Sequence, residues 1–76
     1  MYISGTVEGY TYSAKVFDKA SSMGINEGRI SKLTIKKDSK IICHYDRGWD
    51  VKPSTAEDKK ATKKAIAQAI QAAMAS

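Results

Sequence analysis

Residues 29–51 read RISKLTIKKDSKIICHYDRGWDV. Ser31, Leu33 and Ile35 alternate with Ile30, Lys32, Thr34 and Lys36, the period-two pattern of a strand with one face buried. Lys37-Asp38-Ser39-Lys40 carries turn chemistry, and residues 41–51 resume as a strand. The two runs predict an antiparallel hairpin. Gly48 reads as a bulge inside its second strand, and Pro53, which has no N–H to give a ladder, closes that strand.

Working outward, residues 2–17, YISGTVEGYTYSAKVF, repeat the pattern. Ile3, Gly5 and Val7 alternate with Ser4, Thr6 and Glu8. Beyond Gly9, Tyr10, Tyr12, Ala14 and Val16 alternate with Thr11, Ser13 and Lys15. A second hairpin turning at Glu8-Gly9 follows. Residues 18–28, DKASSMGINEG, are loop chemistry, with Met23 and Ile25 as its apolar members. Those two either fold over one edge of the core or form an exposed binding loop. Residues 54–75 predict a helix, with Ser54 or Thr55 as N-cap and Glu57 spaced for a capping box on Ser54. Ile66, Ala69, Ile70, Ala73 and Met74 make its apolar stripe.

The expected fold is α+β: a four-stranded antiparallel sheet of two hairpins with one C-terminal helix packed on one face (ββββα), forming a single domain over residues 1–76. Its expected core is Ile3, Val7, Tyr12, Ala14, Val16, Leu33, Ile35, Ile41, Cys43, Trp49, Val51, Ile66, Ile70 and Met74.

Composition narrows the function classes. The 76 residues are 42 % apolar and 28 % charged, and carry a net charge of +5 with one Cys and one His. An intramolecular disulfide and a multi-Cys or multi-His metal site are excluded, so no cofactor is expected. The N-terminus has neither a basic nor an apolar segment of a signal peptide, and no apolar run would span a bilayer. A reduced, cytoplasmic setting is the expectation, with no membrane partner.

Catalysis is not expected. Cys43 and His44 are adjacent on a strand and point to opposite faces, which separates a nucleophile from its base. Asp46 and Asp50 flank Arg47; two carboxylates could serve acid–base work, but pairing with Arg47 or nearby lysines is the expectation. No phosphate loop, nucleotide fingerprint or nucleophile elbow is present.

Two surfaces are candidates for binding. Tyr45, Arg47 and Trp49 are residue types that dominate binding energies, and Ile30 and Ile42 are either covered by the 18–28 loop or form an apolar patch on the uncovered sheet face. These five are the candidate protein contacts. Lys15, Lys32, Lys36 and Arg47 are the candidate nucleic-acid contacts, since a basic sheet face can track a phosphate backbone. Residues 29–52 hold most of the positive charge, net +4.

The segments GTVEGYTYSAKVFD (5–18) and GRISKLTIKKDSKIICHYDRGWDVKP (28–53) resemble a family of very short uncharacterised bacterial proteins, found in Firmicutes and their mobile elements. That family shares a Tyr/Val hairpin, GRISKL, YDRGWD and a helix. The resemblance implies a small stand-alone domain without an assigned activity, and it transfers no functional residue. It favours a binding role over metabolism. The expected function is therefore a non-enzymatic binding module acting on a protein partner, with nucleic-acid or polyanion binding as the alternative and a homodimer left open.

Overall fold

The computed structural model describes residues 1–19, 24–25 and 28–75. Five strands and one helix follow in order: β1 (Tyr2–Val7), β2 (Tyr10–Val16), β3 (Ile30–Lys37), β4 (Lys40–Asp46), β5 (Trp49–Val51) and α1 (Ala56–Ala75). The strands form one antiparallel meander in sequence order, β1-β2-β3-β4-β5. The class is the expected α+β, but the sheet has five strands rather than four.

The additional strand comes from the 41–51 run, which is not continuous. Arg47 adopts a positive φ of 56° and turns the chain. The Asp46 N–H then donates to the Gly48 carbonyl at 2.9 Å, and Trp49 lands opposite Tyr45. Gly48 thus belongs to a turn, not to a bulge within a strand. The other two tight turns match their residues. Glu8 (φ 48°) with Gly9 (φ 84°), and Asp38 (φ 51°) with Ser39 (φ 67°), hold the paired left-handed conformations of two-residue hairpins.

Two of the three register shifts in the sheet, those on either side of β3, decide which side chains of β3 and β4 face inward. Between β2 and β3, Lys15 pairs with Lys32 but Val16 pairs with Ile30, so Ser31 is the extra residue. Ile30 thereby joins Val16 inside and is 1 % exposed. Between β3 and β4, Ile35 pairs with Cys43 but Lys36 with Ile41, so Ile42 is the extra residue and packs against the core. Of the two expectations for Ile30 and Ile42, the apolar patch on the open face is therefore not formed: Ile30 is buried and Ile42 packs against the core. The same bulge carries Ile41, expected in the core, out beside Lys36, where it is exposed.

The core lies between the sheet and α1. It gathers Val7, Tyr10, Tyr12, Ala14, Val16, Ile25, Ile30, Leu33, Ile35, Cys43 and Tyr45 with Ala61, Ala65 and Ala69 of the helix. Three tyrosines fill much of the space above the sheet. The helix therefore presents its smallest face, and the expected stripe is rotated: Ile66 and Ile70 are only partly buried and Met74 is 69 % exposed. Trp49 and Val51, also expected inside, are exposed. Thr55, not Ser54, caps the helix, its Oγ1 accepting the Asp58 N–H at 3.0 Å. Across the interface the Tyr10 hydroxyl donates to Asp58 Oδ1 at 2.6 Å, and Lys64 donates to Glu8.

Of the two apolar loop residues, Ile25 is buried over the sheet, and Met23 lies outside the described residues. Gly24 makes that seat tight. A Cβ there would stand 2.2 Å from the Gly28 carbonyl oxygen, too close for any side chain.

Candidate functional site

The face of the sheet opposite α1 is assembled by cross-strand pairing, and three rows can be read across it. One row runs Tyr2, Lys15, Lys32, Asp46. The middle row runs Ser4, Ser13, Thr34, His44, Val51. The third runs Thr6, Thr11, Lys36, Ile41. Hydroxyls thus fill the centre and ammonium groups stand on both sides. A shallow depression of about 380 Å³ lies among Thr11, Tyr12, Ser13, Thr34 and Lys36.

The first row is the most distinctive. Lys15 and Lys32 stand directly opposite each other, an arrangement that destabilises a sheet unless something neutralises it. Asp46, next in the row, is turned to Arg47, whose Nε is 3.8 Å from its Oδ1. The Lys15 ammonium lies 5.7 Å from the centre of the Tyr2 ring and 5.2 Å from that of Phe17, a cation held between two aromatic rings. Both rings are open to solvent, Tyr2 65 % and Phe17 41 % exposed. Phe17 is pinned by its backbone: its N–H donates to the Arg29 carbonyl at 2.9 Å, and Arg29 Nε donates to its carbonyl at 2.7 Å.

The nucleic-acid candidates Lys15, Lys32 and Lys36 therefore share this face. Arg47 stands apart in the β4–β5 turn, its N–H bonded to the Ser31 carbonyl at 3.0 Å. The protein-contact candidates are dispersed. Ile30 and Tyr45 are buried, Ile42 packs on the core, and only Arg47 and Trp49 reach the surface. Sequence reasoning overlooked Tyr2 and Phe17. The signal was available: a two-residue turn at Glu8-Gly9 places Tyr2 opposite Lys15, and Phe17 shares Lys15's parity along the chain.

Chemistry on the open face is limited. Thr34 Oγ1 lies 3.2 Å from His44 Nδ1, and His44 Nε2 lies 3.4 Å from Asp50 Oδ2. A hydroxyl, an imidazole and a carboxylate in this order have the connectivity of a nucleophile, a base and its orienting group. An acyl-transfer centre also needs donors aimed at the developing oxyanion, and the β3 backbone donors beside Thr34 are engaged with β2 and β4. Cys43 is on the opposite face, fully buried, and burial pushes its thiol up to about 11 against a partial offset from the Thr62 hydroxyl. Among the described residues no cluster of three His, Cys, Asp or Glu side chains is placed to hold a metal.

A second concavity, about 370 Å³, opens at the other margin of the molecule between β5 and α1. Ile25, Trp49, Pro53, Thr62 and Ile66 line it, with Lys52, Lys59 and Lys63 around them. Trp49, 39 % exposed, stands edge-on to Tyr45, with ring centres 5.0 Å apart.

No helix among the described residues is long and apolar enough to cross a membrane. No curated protein and no solved structure matches the chain. A family described as a domain of unknown function, DUF7678, matches residues 1–70, and the described residues of the open basic face and of the Trp49 groove all lie within that span; the chain belongs to this family.

Proposed function

We propose that this protein is a non-catalytic module that binds single-stranded nucleic acid across its open sheet face. The observation that carries the reading is the Tyr2–Lys15–Phe17 cluster, continued by Lys32 and flanked across the hydroxyl row by Lys36. Exposed aromatic rings give bases a surface to stack on, and lysines beside them neutralise the backbone; together they suit a single strand. The hydroxyls of Ser4, Ser13, Thr11 and Thr34 add neutral donors for phosphate and sugar oxygens. A cytoplasmic setting, supported by the free thiol of Cys43, and a mobile-element origin, implied by the resemblance, are both consistent with this role.

The test is binding of labelled oligo-dT and oligo-rU by fluorescence anisotropy over a range of salt. Three lysine–phosphate contacts give a log–log slope of about −2, at roughly 0.7 per neutralised phosphate on a single strand. Between ~50 and ~200 mM salt the affinity then falls about twentyfold. Replacing Lys15, Lys32 and Lys36 with Ala flattens the slope. Replacing Lys59, Lys60 and Lys63 on α1, the same change in net charge, leaves it. Replacing Tyr2 and Phe17 with Ala weakens binding at unchanged slope. An absence of binding at low salt, or equal slopes for the two lysine variants, overturns the reading.

A further inference from the structure

The chain's only Trp is the largest residue available to a small core, yet the fold leaves it at the surface. It does not stand alone there. Trp49 from β5 and Ile66 from α1 both line a groove between these elements, and Ile25 and Pro53 complete its apolar lining. Thr62 contributes little polarity, because its hydroxyl already donates to the Asp58 carbonyl at 2.8 Å. The indole packs edge-on against the buried Tyr45, an aromatic contact that favours this placement of Trp49.

Among the described residues that line it, the charge has one sign. Lys52 stands on the strand side, and Lys59 and Lys63 on the helix side. No carboxylate is among the described lining residues. Lys59 and Lys63 are four apart on the helix, where like charges repel and weaken it unless a counter-charge sits between them. An apolar slot with cations on two sides is complementary to an apolar side chain flanked by carboxylates.

We infer that this groove is a docking site for an acidic peptide segment of a protein partner, which inserts one apolar side chain between Trp49 and Ile66 and sets its carboxylates on Lys52, Lys59 and Lys63. The site is distinct from the open sheet face. A nucleic acid brings the charge but no aliphatic anchor for Ile66 and Pro53. A second copy of this chain brings a net +5 against a cationic rim. A segment with several carboxylates engages lysines on both sides of the slot, which a single small carboxylate does not.

The experiment is selection of a phage-displayed random peptide library on the immobilised protein, followed by anisotropy with the selected peptides made synthetically. The expected pool is enriched in Asp and Glu around a single Leu, Ile, Phe or Trp. Binding of a selected peptide weakens by roughly tenfold or more in Trp49→Ala, as expected for a central aromatic anchor. It weakens similarly in the double variant Lys59→Glu/Lys63→Glu. A peptide with Lys in place of its acids regains affinity for that double variant, which a merely misfolded groove would not allow. Circular dichroism confirms that both variants fold. Oligo-dT binding is unchanged in Trp49→Ala, so this site and the open face are scored separately. Failure to select any peptide, a pool without the acidic–apolar pattern, or undiminished binding to Trp49→Ala overturns the inference. So does Trp49-dependent binding to phosphatidylglycerol vesicles without peptide binding, which assigns the groove to a lipid surface.

Discussion

Placing Leu at Ala65 separates the observed helix packing from the one the sequence suggests. Ala61, Ala65 and Ala69 are all fully buried, whereas Ile66 and Ile70 lie at the margin of the interface. Leu adds three carbons to Ala. If the site had room, each newly buried carbon would contribute about 0.8 kcal/mol, or roughly 2 kcal/mol in all. At a site with no exposed surface, those carbons must instead displace the helix or the side chains beneath it, and overpacking of this kind costs about 1–3 kcal/mol. A domain of this size shifts by roughly 4–8 °C for each kcal/mol, so Ala65→Leu is expected to melt some 5–20 °C below the parent. Ala67→Leu, two positions on and exposed, is the control and stays within about 0.5 kcal/mol of the parent. Circular dichroism melts of both variants, with urea titrations to confirm that the transition stays cooperative, are sufficient. The packing assignment is refuted if Ala65→Leu melts at or above Ala67→Leu. A larger loss from Ile70→Ala than from Ala65→Leu would refute it too, because that order belongs to a helix resting on its Ile stripe.

Two further expectations concern buried titrating groups. Cys43 is sealed in the core with its thiol pushed up to about 11 by burial, so thiol reagents near neutral pH should modify it only as fast as the chain opens. A labelling rate equal to that of a free thiol, insensitive to urea, would place Cys43 at the surface and reverse the face of every residue paired with it. The Tyr10 phenol is pushed up to about 12, first by its hydrogen bond to Asp58, then by burial and by the charges of Asp58, Glu57 and Glu8. Its folded value lies above the ordinary 10.0, so its contribution to stability is intact below pH 10.0 and is lost as pH rises towards about 12. Tyrosinate absorbance should show Tyr10 titrating late, and Asp58→Asn should return it towards 10.0; a titration unchanged by that substitution would detach Tyr10 from the helix.

Local chemistry explains what was legible in the sequence. Gly9 and Asp38 are residue types that favour a left-handed turn, and the strands on either side alternate cleanly, so both hairpins could be read directly. The helix declared itself through alanine content and a capping residue. The errors came from non-local pairing. RISKLTIKK alternates without interruption, and only its alignment with Val16 makes Ser31 the extra residue and buries Ile30. Arg47 is an unusual residue for a left-handed turn, so β4 and β5 read as one strand. The helix stripe was misread because hydrophobicity was weighed without volume. With Tyr10, Tyr12 and Tyr45 already rising from the sheet, the facing positions had to be alanines. For the candidate surfaces, the shared face of Lys15, Lys32 and Lys36 was legible from parity, while the Trp49 groove was not, since it depends on where a strand and a helix come to lie side by side.

Where the molecule departs from its own local rules is informative. Inside, the rules hold: among the described residues every buried side-chain nitrogen or oxygen has a partner, and small helix residues face large sheet residues. Several departures remain. Lys15 faces Lys32 and Lys37 faces Lys40 across strand pairs, Lys63 repeats the charge of Lys59 and Lys64 that of Lys60 at one helical turn, and Trp49 is 39 % exposed. The strand pairs cost sheet stability, the helical pairs cost helix stability, and the exposure of Trp49 leaves partly unburied the side chain with the most area to bury. A chain of 76 residues has little stability to spare, at roughly 0.05–0.15 kcal/mol per residue. Lys37 and Lys40 flank a hairpin turn, and Lys64 is paired with Glu8. The other departures fall into two groups: the opposed Lys15 and Lys32 lie beside the exposed aromatics and the hydroxyl row, and Lys59 and Lys63 line the same groove as Trp49. A phosphate backbone on the first and a carboxylate-bearing segment on the second would each supply the counter-charge that the folded chain leaves out, which is the physical ground for treating both as binding surfaces.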